Sequence, residues 1–180
     1  MTNLSEHFTK EEFCYSDTAN KYGKKNEPTA VHLKTLIHTC QYFFEPLRKL
    51  LNEHYKTYNG KKVKCVIIKV TSGYRSNVVN ELLRKEGYHP SSTSQHCTGE
   101  AGDFDVYVVT IDGSKYKIPY TETYKLIKTW VKQEKLSVDQ LICEKSGGML
   151  WVHASYKAGG ASVNRKQFML YQNGKYILDK

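Results

Sequence analysis

Long apolar runs are missing from this chain of 180 residues, in which no uninterrupted hydrophobic segment exceeds a few residues. A helix that crosses a bilayer needs about 20 consecutive apolar residues, so we expect no integral membrane segment. The N-terminus also lacks the charged and apolar regions of a secretory signal peptide. These two absences predict a soluble cytoplasmic protein.

Cysteine pairs at metal-binding or redox spacing are also missing. The five cysteines are an odd number, are widely spaced and include no Cys-x-x-Cys pair. This usage is typical of reduced thiols in a cytoplasmic protein. Cys97 stays open as a metal ligand because it adjoins His96, although neighbouring side chains of an extended segment point to opposite faces.

Long basic runs are absent as well, although Lys and Arg total 27 against 18 Asp and Glu, a net charge of +9. No run of basic residues exceeds pairs such as Lys24-Lys25 and Lys61-Lys62. We therefore predict no nucleic-acid partner, because a dedicated nucleic-acid surface has denser basic patterning. The excess charge still favours contact with some anionic polymer.

Neither an internal repeat nor a low-complexity segment divides the chain, which has the length of one domain. We predict a single monomeric domain, with an N-terminal arm at residues 1–28 and a core at 29–180. Within the arm, the sequence from Thr9 to Glu12 resembles a capping box for one short helical turn. From Thr29 the apolar spacing predicts an amphipathic helix of about 28 residues, with a kink at Pro46.

The remaining patterns predict two more helices, at 77–86 and 120–135, and a set of strands joined mainly by hairpins. The predicted strands are Val63–Thr71, Phe104–Val109, Val138–Glu144, Met149–Tyr156, Gln167–Tyr171 and Tyr176–Leu178, the last two joined through Asn173-Gly174. Helices at separate places around hairpin-connected strands indicate an α+β fold with a mainly antiparallel sheet flanked by helices.

One stretch combines side chains that bind metals. His96 precedes Asp103 by seven residues with glycines between them, and His153 lies on the strand that returns from a predicted hairpin. A catalytic zinc takes three such protein ligands and leaves one position for water. Spacing alone does not show that the three side chains converge, and the same ligand types also serve other metals.

Three motifs together resemble the M15 family of zinc peptidases, which includes D-Ala-D-Ala carboxypeptidases and phage endolysins and is distantly similar to the hedgehog signalling domain. The motifs are Ser-Gly-Tyr-Arg-Ser at 72–76, Ser-Gln-His-x-x-Gly-x-Ala-x-Asp at 94–103 and Trp-Val-His at 151–153. The resemblance covers residues 63–156. It implies a hedgehog or D-Ala-D-Ala peptidase type of fold. It also implies Zn²⁺ held by His96, Asp103 and His153, with Arg75 binding a substrate carbonyl or carboxylate and Ser94 lining the substrate cleft.

One position departs from the family pattern. Many members carry a glutamate three residues before the last zinc histidine, where this chain has Leu150. We predict that Glu144 supplies the missing general base. A turn of two or four residues at 145–148 places Glu144 and His153 on the same sheet face, whereas a three-residue turn separates them. The alternative is a solvent-exposed carboxylate at a strand end.

Three neighbouring side chains have weaker assignments. On the same register Gln140 faces His153, as a hydrogen-bonding partner or a simple sheet neighbour. Trp151 is assigned to the core, and Glu100 is expected to point to solvent.

The resemblance implies a zinc-dependent peptidase that cleaves peptide bonds of peptidoglycan stem peptides, as an endopeptidase or a D-Ala-type carboxypeptidase. A phage or prophage endolysin, released to act on the cell wall, fits both the predicted location and the positive charge. The alternative is a structural or wall-binding protein that keeps the fold and the zinc without turnover, which Leu150 permits.

Overall fold

The long N-terminal helix is one helical segment with a change of winding in its middle. In a computed structural model, which describes residues 2–172 and 174–180, it comprises α3 (Ala30–Thr39), a π-helical turn (Cys40–Phe44) and α4 (Glu45–His54). Thr29 caps it as predicted, since its side chain accepts a hydrogen bond from the His32 N–H. Pro46 has no N–H to donate, so one helical hydrogen bond is missing, and the π-helical turn before it accommodates this loss.

The arm that precedes this helix packs into the core. It contains α1 (Lys10–Cys14) and α2 (Asp17–Lys21), and Thr9 caps α1 as predicted, with its hydroxyl accepting from the Glu12 N–H. Phe13 is fully buried, and its ring meets the ring of Phe44 edge-on at 5.1 Å between centroids. The arm therefore contributes to the same core as the helix it precedes.

Among the described residues the sheet has eight strands, of which the two shortest were not predicted. The strands are β1 (Thr57–Tyr58), β2 (Lys61–Ser72), β3 (Ala101–Thr110), β4 (Lys115–Lys117), β5 (Gln140–Ser146), β6 (Met149–Ser155), β7 (Gln167–Gln172) and β8 (Lys175–Leu178). The order is β1-β2-β3-β6-β5-β7-β8, with β4 paired to β3. Every pair is antiparallel except β5 and β7. The prediction of an α+β fold with a mainly antiparallel sheet is confirmed.

Two further helices lie between the strands. They are α5 (Asn77–Lys85), capped by Ser76, and α6 (Tyr120–Lys132). The second ends three residues earlier than predicted because Glu134 adopts a left-handed backbone conformation, with φ of 59°. Two short 3-10 helices, Gln95–Thr98 and Ala161–Val163, complete the elements of the part of the chain that the structure describes, and the predicted turn at Asn173 lies outside it.

The two faces of the sheet have different roles. Every second strand residue points toward α3, α4 and α6, as Val66, Phe104 and Val152 do. These residues are buried against the apolar side chains of the three helices. The intervening residues face the other way, and there a cleft of about 1210 Å³ opens over the middle strands. Since successive side chains alternate between faces, the same strands that build the core also supply the floor of the cleft.

In the part of the chain that the structure describes, no helix is both long enough and apolar enough to cross a lipid bilayer.

Candidate metal centre

His96 is the first of three side chains that meet at the floor of the cleft, and two hydrogen bonds hold it in place. Its Nδ1–H donates to the Gly73 carbonyl at 2.7 Å, and its own carbonyl accepts from the Arg75 N–H at 3.1 Å. Because a carbonyl can only accept, Nδ1 carries the proton and Nε2 presents a lone pair to the cluster. The residue is 4 % exposed.

Asp103 and His153 are direct partners across the β3–β6 ladder. Opposite residues of an antiparallel pair point to the same face, so the two side chains project into the cleft together. Asp103 Oδ1 lies 2.9 Å from His153 Nδ1. Their approach follows directly from the strand register.

The three candidate ligand atoms form a nearly regular triangle. His96 Nε2 lies 3.2 Å from His153 Nδ1 and 3.4 Å from Asp103 Oδ1, and the third side is the 2.9 Å contact. Ligand atoms at the usual distances around a tetrahedral zinc lie about 3.3 Å from one another. The buried group of His96, Asp103 and His153 could therefore hold a metal ion, as its side chains were predicted to do.

The pKa values of Asp103, His96 and His153 are shifted in different directions by burial and by one another. Burial alone would raise the pKa of Asp103, yet the two imidazoles hold it well below its usual range. Burial lowers the pKa of His96, because a buried ring disfavours its charged form. For His153 burial acts in the same direction, but the hydrogen bond to Asp103 outweighs it and raises the pKa. An ionised carboxylate and a neutral imidazole are the protonation states that metal ligands need.

Glycines allow the backbone to pack closely around His96. A Cβ on Gly73 would lie 2.3 Å from the Phe13 carbonyl oxygen, so only glycine places the carbonyl that orients the imidazole. Gly99, with φ of 80°, ends the 3-10 helix, and a Cβ there would lie 2.7 Å from the His32 carbonyl oxygen. His96 lies in a 3-10 helix and Asp103 lies within β3, so both residues lie on regular elements.

Glu144 projects from the same sheet face as the three ligands. The turn between β5 and β6 has two residues, so Ile142 pairs with His153 and Glu144 pairs with Trp151. The predicted shared face of Glu144 and His153 is thus confirmed, and the alternative of a solvent-exposed carboxylate is wrong, since Glu144 is 9 % exposed. Burial, followed by the charge of Asp103, raises the pKa of Glu144 to about 7.

Arg75 and Ser94 line the same cleft as the three candidate ligands. Arg75 follows β2 in the turn before α5 and lines the cleft, with guanidinium nitrogens 3.4 Å from Asn80 Oδ1 and from Ser72 Oγ. Ser94 is half-buried in the cleft wall at the start of the 3-10 helix that carries His96. Their roles toward a substrate stay predictions.

Trp151 was assigned to the core, and this assignment is wrong. It lies two residues before His153 on β6, so strand alternation turns it toward the cleft, where it is half-buried. Leu150 alternates with it, pairs with Lys145 and is 40 % exposed. Because Trp151 lies two residues before His153, strand alternation alone predicts that both side chains face the cleft. The general preference of tryptophan for buried positions suggested the core instead.

Cys97, Gln140 and Glu100 lie near the cluster but outside the group of candidate ligands. Cys97 is buried, and burial raises its thiol pKa, but it is not part of the ligand group. Gln140 donates its amide to Gln167 Oε1 at 2.8 Å, as a sheet neighbour. Glu100 is half-buried and lines the cleft while accepting from the Thr98 hydroxyl, so it is not directed simply to solvent.

A buried carboxylate next to the cluster was missed. Asp139 is fully buried and accepts from Arg165 Nε at 2.9 Å and from Gln95 Nε2 at 3.1 Å. Because Gln95 adjoins His96, this network ties the 3-10 helix to the segment that leads into β5. No local sequence pattern predicted this hydrogen-bond network, because Arg165 and Gln95 lie 26 and 44 residues from Asp139 along the chain.

Comparison of the chain with known proteins found no matching family model, no matching curated protein and no matching solved structure.

Proposed function

We propose that this chain is a zinc-dependent peptidase of the M15 type, with the hedgehog or D-Ala-D-Ala peptidase fold. Its proposed substrates are the stem peptides of peptidoglycan, and its proposed setting is that of a phage or prophage endolysin. The observation that carries the proposal is the triangle of His96 Nε2, Asp103 Oδ1 and His153 Nδ1, with sides of 2.9 to 3.4 Å on the floor of a cleft. The three sequence motifs and the net charge of +9 agree with it.

A zinc ion held by these ligands would supply Lewis acidity, which lowers the pKa of water and polarises a carbonyl group. The residues around the triangle supply the remaining requirements of peptide hydrolysis. They must position the carbonyl, stabilise charge on its oxygen and move one proton from the attacking water to the leaving nitrogen.

Glu144 is the proposed proton carrier. Its carboxylate shares the cleft face with the ligands, and a pKa raised to about 7 suits a group that gains and loses a proton near neutral pH. The proton goes from water to a Glu144 oxygen and then to the amide nitrogen. One carbon–oxygen bond forms and the carbon–nitrogen bond breaks, which gives a carboxylic acid and an amine.

Arg75 is the proposed partner of the substrate carbonyl. A guanidinium offers several donors in a fixed plane. Among the described residues its side-chain contacts to Asn80 and Ser72 are long, at 3.4 Å, so donors remain for an oxygen in the cleft. Negative charge that develops on the carbonyl oxygen would be stabilised there. Ser94, in the cleft wall, would contact the substrate beside it.

Metal content and wall hydrolysis test the proposal together. We expect one zinc per chain in the purified protein, and clearing zones in gels that contain purified cell walls. His96→Ala should lose both, whereas Glu144→Gln should keep the zinc and lose hydrolysis by at least about a hundredfold. His89→Ala is the matched control, since His89 lines the same cleft outside the ligand group. Zinc content near zero in the unaltered chain would contradict the proposal.

Leu150 favours a second candidate, a wall-binding protein that holds zinc without hydrolysing peptides. In that protein the position that carries a glutamate in many M15 members has lost its function, and Glu144 does not replace it. Stoichiometric zinc with wall binding but without any new amino groups would support this second candidate. Hydrolysis that disappears in Glu144→Gln would exclude it.

A further inference from the structure

Four side chains form a straight row across neighbouring strands beside the metal centre. Glu144 on β5 pairs with Trp151 on β6 and, on its other side, with Tyr171 on β7, which in turn pairs with Tyr176 on β8. Residues opposite one another in a ladder share a face, so all four project into the cleft. We call these residues the aromatic row. An aromatic side chain flanks the carboxylate on each side.

The aromatic row has the character of a binding surface. The rings of Tyr171 and Tyr176 contact each other at 4.6 Å between centroids. Tyr176 is 60 % exposed on the terminal strand of the sheet, so the row is open at its outer end. Large, rigid rings that stay exposed inside a cleft are suited to holding a ligand at little entropic cost.

The chemistry of hydrolysis says which half of a substrate lies over this row. The leaving nitrogen must receive its proton from Glu144, so it comes within hydrogen-bond reach of that carboxylate. The part of the substrate that carries this nitrogen therefore extends over the aromatic row. The acyl half lies on the other side, toward the element that carries Arg75.

The positions of the cationic residues in the cleft indicate whether the substrate bond is a C-terminal or an internal peptide bond. A carboxypeptidase releases a single amino acid and needs a cation for its carboxylate, because an unpaired carboxylate in a cleft is costly. Among the described residues of the cleft, the lysines and arginines lie outside the row. Lys117 pairs with Asp105, Lys157 and Arg165 pair with Asp139, and Arg75 lies beside Ser72.

We propose that the aromatic row is the subsite for the leaving-amine side of the scissile bond, and that it takes a chain which continues beyond one residue. The protein then acts as an endopeptidase. This inference rests on the proposed function, because it needs Glu144 to carry the proton.

Product analysis tests the inference separately from the proposed function. Purified peptidoglycan sacculi are incubated with the zinc-loaded chain, and the soluble products are identified by mass spectrometry. We expect new amino groups on fragments of two or more residues, with no release of free alanine. Free alanine as the main product overturns the endopeptidase inference and leaves the peptidase proposal standing. No new amino groups at all overturns both.

Substitutions test the subsite itself. Tyr176→Ala and Trp151→Ala should each raise KM for soluble muropeptides about five- to tenfold, with kcat changed less than twofold and zinc content unchanged. Tyr176→Phe should keep the original KM, because the ring supplies the contact. Because Tyr176 is exposed, its variants are expected to fold, and thermal unfolding checks this for Trp151→Ala.

Tyr107→Ala is the matched control. Tyr107 lies on β3 and contacts Lys115, whose Nζ is 4.4 Å from the ring centroid, and it does not line the cleft. Its KM should match that of the unaltered chain. Unchanged KM in both Tyr176→Ala and Trp151→Ala, or an equal rise in Tyr107→Ala, overturns the subsite.

Discussion

Replacing Glu144 by glutamine should stabilise the metal-free protein at alkaline pH, while it removes the proposed hydrolytic activity. Glu144 is 9 % exposed, and burial together with Asp103 raises its pKa from 4.5 to about 7. A carboxyl whose pKa is higher in the folded state binds its proton more tightly there than in the unfolded chain. The folded state is therefore penalised increasingly as the pH rises from about 4.5 to about 7, and glutamine removes that penalty.

The size of the effect follows from the two pKa values. Linkage gives a penalty of about 3 kcal/mol at pH 8 and under about 1 kcal/mol at pH 5. For a domain of this length, 1 kcal/mol corresponds to about 2–4 °C in Tm. We expect Glu144→Gln to raise Tm by about 6–12 °C at pH 8 and by under about 4 °C at pH 5.

The assay is thermal unfolding of chelator-treated protein at both pH values, followed by circular dichroism. Glu100→Gln serves as the control, because Glu100 lines the same cleft and accepts a hydrogen bond from the Thr98 hydroxyl but does not belong to the aromatic row. Adding zinc should shrink the difference between Glu144→Gln and the unaltered chain, since a nearby cation favours the carboxylate. A Tm difference that is the same at pH 5 and pH 8 would refute the reasoning about Glu144.

Two further outcomes follow from the metal centre and its glycines. Zinc at a hundred times its Kd should stabilise the chain by about 2.7 kcal/mol, which differential scanning fluorimetry should register as a Tm rise of about 5–11 °C. His96→Ala should lose this rise and His89→Ala should keep it, and a rise that survives in His96→Ala would contradict the ligand assignment. Gly99→Ala should cost about 3 kcal/mol or more in urea unfolding, because a Cβ with φ of 80° would also lie 2.7 Å from the His32 carbonyl oxygen. Gly113→Ala, with φ of 84° and open space around it, should cost only about 1 kcal/mol, and equal losses would show that the close approach is unimportant.

Local patterns were sufficient for most of the fold. The cap at Thr29, the strand predicted from Phe104 and the turn before Met149 all depend on residues that are close in the chain, although the strand begins earlier, at Ala101, and the length of the turn was left open. The shared face of Glu144 and His153 could be predicted for the same reason. Once the turn length is known, pairing in a hairpin determines which side chains point together.

Contacts between distant segments could not be predicted in this way. The parallel pairing of β5 with β7, which places Tyr171 beside Glu144, depends on the whole sheet and leaves no mark on local periodicity. The burial of Asp139 with Arg165 is of the same kind. The convergence of the three ligands also lay beyond the spacing of His96, Asp103 and His153, and the motif resemblance supplied that expectation.

The ladder pairing of Asp103 with His153 has a consequence for the order of assembly. Two ligands are placed by backbone hydrogen bonds of the sheet, and the third is placed by a glycine carbonyl, so none of them waits for an ion before taking its position. In small zinc domains the free energy of metal binding drives folding, and removing the ion unfolds the chain. Here the hydrogen bonds that place the three side chains involve no ion, so we expect the chain to keep its fold when a chelator removes any bound metal.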